Sequence, residues 1–331
     1  MDDKPPPLWN EMLGEFRALG GTADNVRLGE GSLGRGLFPI DPARPIKVHI
    51  PESLLPPVDQ VEFVNDVFRI KPDFSSGERE RNFLESYERD FSWGVSRQSI
   101  LDLLQMMHEA PLQLREHLRK FCRLWMAGPT SEAVQERFLA SRAIRYNDQR
   151  VLMPITELAN HGEGIEYDFQ NGIGLSGQFA GEIFVRYRLG DPWRIFANWG
   201  FASAGEPLAL SMGVERPDMA IGDGDIDVID MKRPFFPKVT LEGGQLKLSY
   251  LMLGNRKFPR LARGIFRRIM QDAGRPNADE QFDWIQHHNR TALYNLLELS
   301  ELAAPPLGRL LRTAIVHQLR ALSHNIGSRP V

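Results

Sequence analysis

The chain is 331 residues long, 42% hydrophobic and 25% charged, which is too apolar for a chain that stays disordered and long enough for about two domains. Its 40 basic and 43 acidic residues leave a formal net charge of −3, so no overall field draws it to nucleic acid or to an anionic membrane. The single cysteine, Cys122, excludes an intrachain disulfide and a thiolate metal cluster. An acidic, proline-rich start and no apolar run of membrane-spanning length predict a soluble, cytoplasmic protein without a membrane partner.

Trp9, Met12, Leu13, Phe16 and Leu19 recur at helical spacing and stop at Gly20-Gly21, which predicts an opening amphipathic helix. From Val26 to Leu55 glycine and proline punctuate short extended runs at 26–28, 36–38 and 46–50. Residues 56–140 read as helix, most plainly at Ile100, Leu103, Leu104 and Met107 and, beyond Pro111, at Leu114, Leu118 and Phe121. Extended runs return at 151–154, 181–187, 208–212, 226–231 and 245–251. Three helices close the chain: an apolar stripe from Phe258 to Ile269, then 279–302 and 306–323.

Three short motifs carry polar chemistry. Gly29 to Phe38 contains G-x-G-x-x-G, but Pro39, Pro42 and Pro45 forbid the helix that a nucleotide-binding loop must open. What remains is either a tight turn or a backbone that a ligand can approach closely. Ser141-Arg142 precedes Pro154-x-x-Glu157-Leu158-x-Asn160-His161, whose last pair offers amide and imidazole hydrogen bonds or simply a loop turn. Gly181-Glu182 opens an alternating strand ending at Tyr187. Asp191 and Pro192 then suit the N-cap and first turn of a short helix that ends at Trp199-Gly200-Phe201.

In that order the Gly34-Arg35-Gly36-Leu37-Phe38 turn, an expected Ser141-Arg142 strand, the Asn160-His161 segment and the Glu182…Tyr187…Gly200-Phe201 segment resemble the SET-domain methyltransferases. The likeness is to the branch of Rubisco large-subunit lysine methyltransferase, and it spans about residues 20–203 with Ile50-Pro51 included. It implies an α+β chain: an N-terminal helix and first part of the SET domain at 1–55, a helical insertion at 56–140, a second SET part at 141–203, and a mainly helical substrate-binding domain at 204–331. It also implies a protein N-methyltransferase that uses S-adenosyl-L-methionine (SAM), with lysine before histidine as acceptor and a protein as substrate. Gly34, Arg35 and Gly36 would hold the methionine end of SAM; Arg142, Asn160 and His161 its carboxylate and adenine; Glu157 stands where relatives place an aspartate. Tyr187 would be the catalytic phenol, and Tyr187, Trp199 and Phe201 would wall the substrate channel.

Trp199 stands where relatives often carry a second catalytic tyrosine, and Arg188, Asp191 and Pro192 also depart from the family pattern. These departures keep a second reading open, a SET-fold binding or scaffold protein without turnover. Other features lead elsewhere. Asp223, Asp225 and Asp227 alternate as in a calcium loop, but Val228 and Pro234 break it. The adjacent His287-His288 have no third ligand at zinc spacing, so no metal is expected. The basic residues Arg256, Lys257, Arg260, Arg263, Arg267 and Arg268 read as a solvated helix face or as a grip for an acidic partner.

Overall fold

The computed structural model describes residues 7–31, 33–187, 190–222 and 235–324. Over these residues the chain is α+β, with helices among several small sheets. It divides into two compact units, Met1–Leu104 with Pro129–Tyr187, and Gln105–Gly128 with Arg188–Val331. Arg188 and the run 223–234, which carries the alternating aspartates and the expected strand at 226–231, lie outside the described residues.

The first unit opens with α1 (Pro7–Ala18), whose apolar face buries Trp9 and Phe16 completely and which ends at the left-handed Gly20. Then come β1 (Thr22–Asp24), β2 (Val26–Gly31), β3 (Gly34–Pro39) and β4 (Ile46–Ile50). Strands β2 and β3 form an antiparallel hairpin from Val26↔Pro39 to Gly31↔Gly34.

Residues 61–70, expected as helix, instead form the hairpin β5 (Val61–Val64) and β6 (Val67–Ile70). The reason is local: Asn65 and Asp66 both sit at positive φ, 50° and 63°, the backbone of a two-residue turn that matches the twist of paired strands. Asn147-Asp148 repeats the device between β7 (Ile144–Tyr146) and β8 (Gln149–Val151).

Helices α2 (Glu78–Phe91) and α3 (Trp93–Glu109) follow, and α3 leaves the first unit after Leu104. On α2 the residues Phe83, Tyr87 and Phe91 recur every fourth position. Their rings stack at 6.4 and 6.2 Å, with Phe16 against Phe83 at 5.9 Å and Trp9 edge-on to Phe91 at 5.3 Å. Each such buried side chain is worth roughly 1.5–3 kcal/mol, so this stack anchors α1 and α2 together. Phe63, Trp93 and Phe138 form a second aromatic cluster.

After α4 (Leu112–Phe121) of the second unit, α5 (Ser131–Arg142) is capped by the Thr130 hydroxyl. Ser141 and Arg142 form its last turn, so the strand expected there starts only at Ile144. Strands β9 (Asn160–Ile165), β10 (Ile173–Gly177) and β11 (Phe184–Val185) complete the unit. The sheet order is β1-β4-β10, antiparallel throughout, while β9 and β11 pair in parallel.

The second unit contains α6 (Pro192–Trp199), β12 (Leu208–Leu210), β13 (Val214–Glu215), β14 (Met219–Ile221), β15 (Val239–Glu242), β16 (Gln245–Leu248) and β17 (Met252–Asn255). Helices α7 (Leu261–Asp272), α8 (Ala278–Ser300) and α9 (Pro305–Ser323) follow. The part expected to be mainly helical therefore also carries six short strands among its described residues. Asp191 holds α6 in place: fully buried, it accepts from the Arg194 amide (2.7 Å), the Leu210 amide (2.8 Å), Gln318 Nε2 (3.0 Å) and the Arg194 guanidinium (2.9 Å). Asp191 thus joins α6, β12 and α9 through a satisfied buried carboxylate. Among the described residues no helix is long and apolar enough to cross a membrane.

Candidate functional site

The glycine-lined hairpin and the Asn160-His161 segment meet in the first unit. Asn160 begins β9, and its Nδ2 donates to the Arg35 carbonyl at 3.1 Å and to Glu182 Oε1 at 2.6 Å. Gly36 is buried at this junction; a Cβ there would stand 2.5 Å from Glu182 Oε1 and 2.8 Å from Asn160 Nδ2. A Cβ on Gly31 would fall 2.1 Å from Glu182 Oε2. The hollow left by the missing side chains is thus filled by one carboxylate, at the end of a flexible side chain. Gly34, with φ +90°, is exposed at the hairpin end and has open space about its Cβ position.

His161 is buried, and its Nδ1 accepts the Tyr187 amide proton at 3.2 Å, so that nitrogen carries its lone pair. The two rings lie 5.2 Å apart. The Tyr187 phenol donates to the Ala159 carbonyl at 3.0 Å. Burial pushes its pKa up to about 12, with Glu157 and Glu182 adding and Arg142 opposing. The hydroxyl therefore keeps its proton through the physiological range.

Glu157 is only 4% exposed, in a short 3-10 turn. Its Oε1 accepts from Tyr87 at 2.8 Å, and its Oε2 lies 3.7 Å from the Arg142 guanidinium, without a hydrogen-bond donor. Arg142 also donates to Ser96 Oγ at 2.9 Å. Arg35 reaches the Phe91 carbonyl. Burial, reinforced by the charge of Glu157, holds the Glu88 carboxyl well above the usual carboxylate range. Burial likewise raises Tyr87, again with Glu157 adding.

The turn that presents Glu157 is strained. Ile155, fully buried, has φ 69° and ψ −59°, and the Thr156 amide donates to the Pro154 carbonyl at 2.8 Å, which closes a γ-turn of the rarer hand. A β-branched residue in this region costs of order 1–3 kcal/mol and persists only where its surroundings over-determine it; such outliers cluster at functional sites.

Of the residues singled out in the sequence, Arg35, Gly36, Arg142, Glu157, Asn160, His161 and Tyr187 gather around this junction, and Gly34 marks its exposed rim. Trp199 and Phe201 belong to the second unit, on either side of Gly200, whose left-handed backbone (φ 77°) ends α6. Four residues of the cluster were given no role in advance. Tyr87 and Glu88 lie on the buried stripe of α2, where a glutamate in an apolar row was the available signal. Glu182 belongs to the motif that ends at Tyr187, but its place in the glycine cradle was not legible there. Tyr167 is 8% exposed, its hydroxyl makes no hydrogen bond, and burial raises its pKa strongly, with Tyr187 and Glu157 adding to the shift. No protein-family model matches the chain, and no curated protein is significantly similar to it.

Proposed function

We propose that this chain is a SAM-dependent protein methyltransferase of the SET type, transferring a methyl group to a lysine or, as the lesser choice, a histidine of a protein substrate. The observation that carries the reading is the junction itself: Asn160 bonded to Arg35 across the glycine hairpin, with the Tyr187 phenol one hydrogen bond from Ala159. Two stretches of different chemistry, far apart in the chain, meet there, which supports the reading.

The donor set fits the group. A sulfonium amino acid carries two positive centres and a carboxylate, and the junction offers the Glu182 and Glu157 carboxylates, the Asn160 amide oxygen, strand carbonyls and the Arg142 guanidinium. The glycine cradle supports the fit, because Glu182 occupies it by a side chain that can move while no backbone fills it. Gly34, Arg35, Gly36 and Asn160 would hold the amino-acid end of SAM, and His161 with its neighbouring backbone the nucleoside end.

Bound SAM supplies an electrophilic methyl on sulfur, so the protein needs alignment more than acid or base strength. Tyr187 with its pKa near 12 is a poor base at neutral pH. It keeps its proton and donates a hydrogen bond to the Ala159 carbonyl, and its oxygen would accept one from the incoming nitrogen. The Ala159 carbonyl fixes that phenol, and fixed dipoles stabilise developing charge without reorganising. The acceptor nitrogen must arrive neutral, its proton having been lost to solvent.

Isothermal titration with SAM tests the binding step, and incubation with methyl-labelled SAM and whole-cell extract tests turnover. Saturable binding plus a labelled band that disappears in Tyr187→Phe supports the enzyme. Binding without label in any protein, or no binding at all, overturns the enzyme and leaves the non-catalytic SET-fold binding or scaffold reading.

A further inference from the structure

In the second unit, β15 ends its sheet. The strand order is β13-β14-β16-β15, and among the described residues nothing pairs with the outer edge of β15. Strands β15 and β16 are joined by Gly243-Gly244, both at positive φ, in a two-residue hairpin closed by Glu242↔Gln245. In an antiparallel ladder hydrogen-bonded and open pairs alternate, so Thr240↔Lys247 is bonded while Val239↔Leu248 and Leu241↔Leu246 are open. The bond from the Ser249 amide to the Lys238 carbonyl (3.0 Å) continues the same alternation. The backbone groups of Val239 and Leu241 therefore point away from β16.

The side chains of the same two residues are apolar and exposed, at 42% and 59%. They share a sheet face with their partners Leu248 and Leu246, and through these with Ile221 and Met219, all four buried. The apolar face of the sheet thus runs past its cover at β15.

Just upstream of Val239, a groove of about 730 Å³ lies between Phe236 and the start of α7. Its apolar walls include Phe236, Phe258, Leu261 and Ile265, the two phenylalanines being 50% and 57% exposed. Its other lining residues include Lys257, Arg260 and Arg268. The basic run of this region splits by role: Arg263 and Arg267 are held by Asp279, and Arg268 by Asp272, while Lys257 and Arg260 form no ion pair with the described residues. At the far end of the helix, Arg275 donates to the Gly244 carbonyl of the β15–β16 turn. The chain before and after α7 therefore meets the chain on either side of β15, with the groove at the helix start.

We infer that this edge is a docking site for an extended, acidic segment of a protein partner, which adds as a strand to β15 and places an apolar side chain in the groove. Main-chain bonds to Val239 and Leu241 would supply affinity, the groove would select the anchor, and Lys257 and Arg260 would select for acidic neighbours. The inference stands independently of the methyl-transfer reading, since it needs neither SAM nor the junction of the first unit.

The probe is a fluorescein-labelled peptide of about 12 residues in which Asp or Glu alternates with Val and one Phe, measured by anisotropy against the full chain. Saturable binding is expected that weakens severalfold as salt rises from about 50 to about 300 mM, because exposed charges are screened over that range. Lys257→Gln/Arg260→Gln should weaken it about tenfold and remove the salt dependence. Leu241→Pro removes an outward N–H without touching the ladder to β16, so it should weaken binding while leaving the melting temperature nearly unchanged. A peptide with lysine in place of its acids should not bind. Equal binding of the acidic and basic peptides, no binding of either, or self-association of the chain that Phe258→Asp abolishes would each overturn the proposal.

Discussion

The side-chain amide of Asn160 donates to the carbonyl oxygen of Arg35 at 3.1 Å, joining residues 125 positions apart, and the same nitrogen holds Glu182 at 2.6 Å. One amide group thus closes the glycine hairpin onto β9 and sets the carboxylate that fills the cradle. Asn160→Ala removes both acceptors' donor. It should lower stability by about 1–3 kcal/mol in urea denaturation and weaken SAM binding at least tenfold in calorimetry. Unchanged affinity would show that the junction is structural only.

Gly31→Ala places a methyl group where the Glu182 carboxylate now lies. The clash is with a flexible side chain, so the melting temperature should fall by only a few degrees while SAM affinity falls sharply. Glu182→Ala introduced beside Gly31→Ala should restore the melting temperature, and failure of that rescue would place the conflict elsewhere.

Removing the Arg142 charge, as in Arg142→Met, leaves Glu157 buried beside a neutral neighbour. The expected loss is about 3–5 kcal/mol of unfolding free energy, the cost of an uncompensated buried charge. Calorimetric unfolding at neutral pH measures it, and Arg142→Lys should recover part of the loss.

The raised Glu88 carboxyl gives a pH dependence of known sign. Its folded-state pKa exceeds the unfolded value near 4.5, so its contribution is fully present below that pH and is lost as pH rises through the folded value. Glu88→Gln should therefore match wild type at low pH and exceed it at pH 7. Urea midpoints measured across the range will show whether the curves diverge in that direction.

Tyr187 behaves likewise at the alkaline end. With the phenol moved from 10 to about 12, stability is lost between those pH values as the unfolded chain ionises first. Tyr187→Phe should fall less steeply across that window. It should also reduce methyl transfer at least a hundredfold with SAM affinity changed by no more than a few-fold. Loss of binding along with turnover would make Tyr187 a cofactor residue instead.

Periodicity and turn chemistry were enough to read much of the chain. Helix α1 and the three helices of the tail follow from apolar spacing and their glycine and proline stops, and Asp191-Pro192 was legible as the start of α6 because capping is local. The hairpin at 61–70 was missed although Val61 to Ile70 alternates, since Asn-Asp is a weaker turn signal than Asn-Gly. The end of α5 was misplaced, because a helix and a strand differ there by a single residue's backbone angle, and tertiary packing sets it.

What the sequence determined by itself is therefore the material of the junction: glycines that leave room, an Asn-His pair, and an arginine, a glutamate and a tyrosine within a few motifs. Only the tertiary structure decided the rest. It put Tyr87 and Glu88 of α2 and the unpaired hydroxyl of Tyr167 beside Glu157, and drove Glu182 into the glycine cradle. The physical reason is that pKa values, buried hydrogen bonds and filled hollows depend on side chains brought together from distant parts of the chain, and local pattern carries no information about which ones will meet.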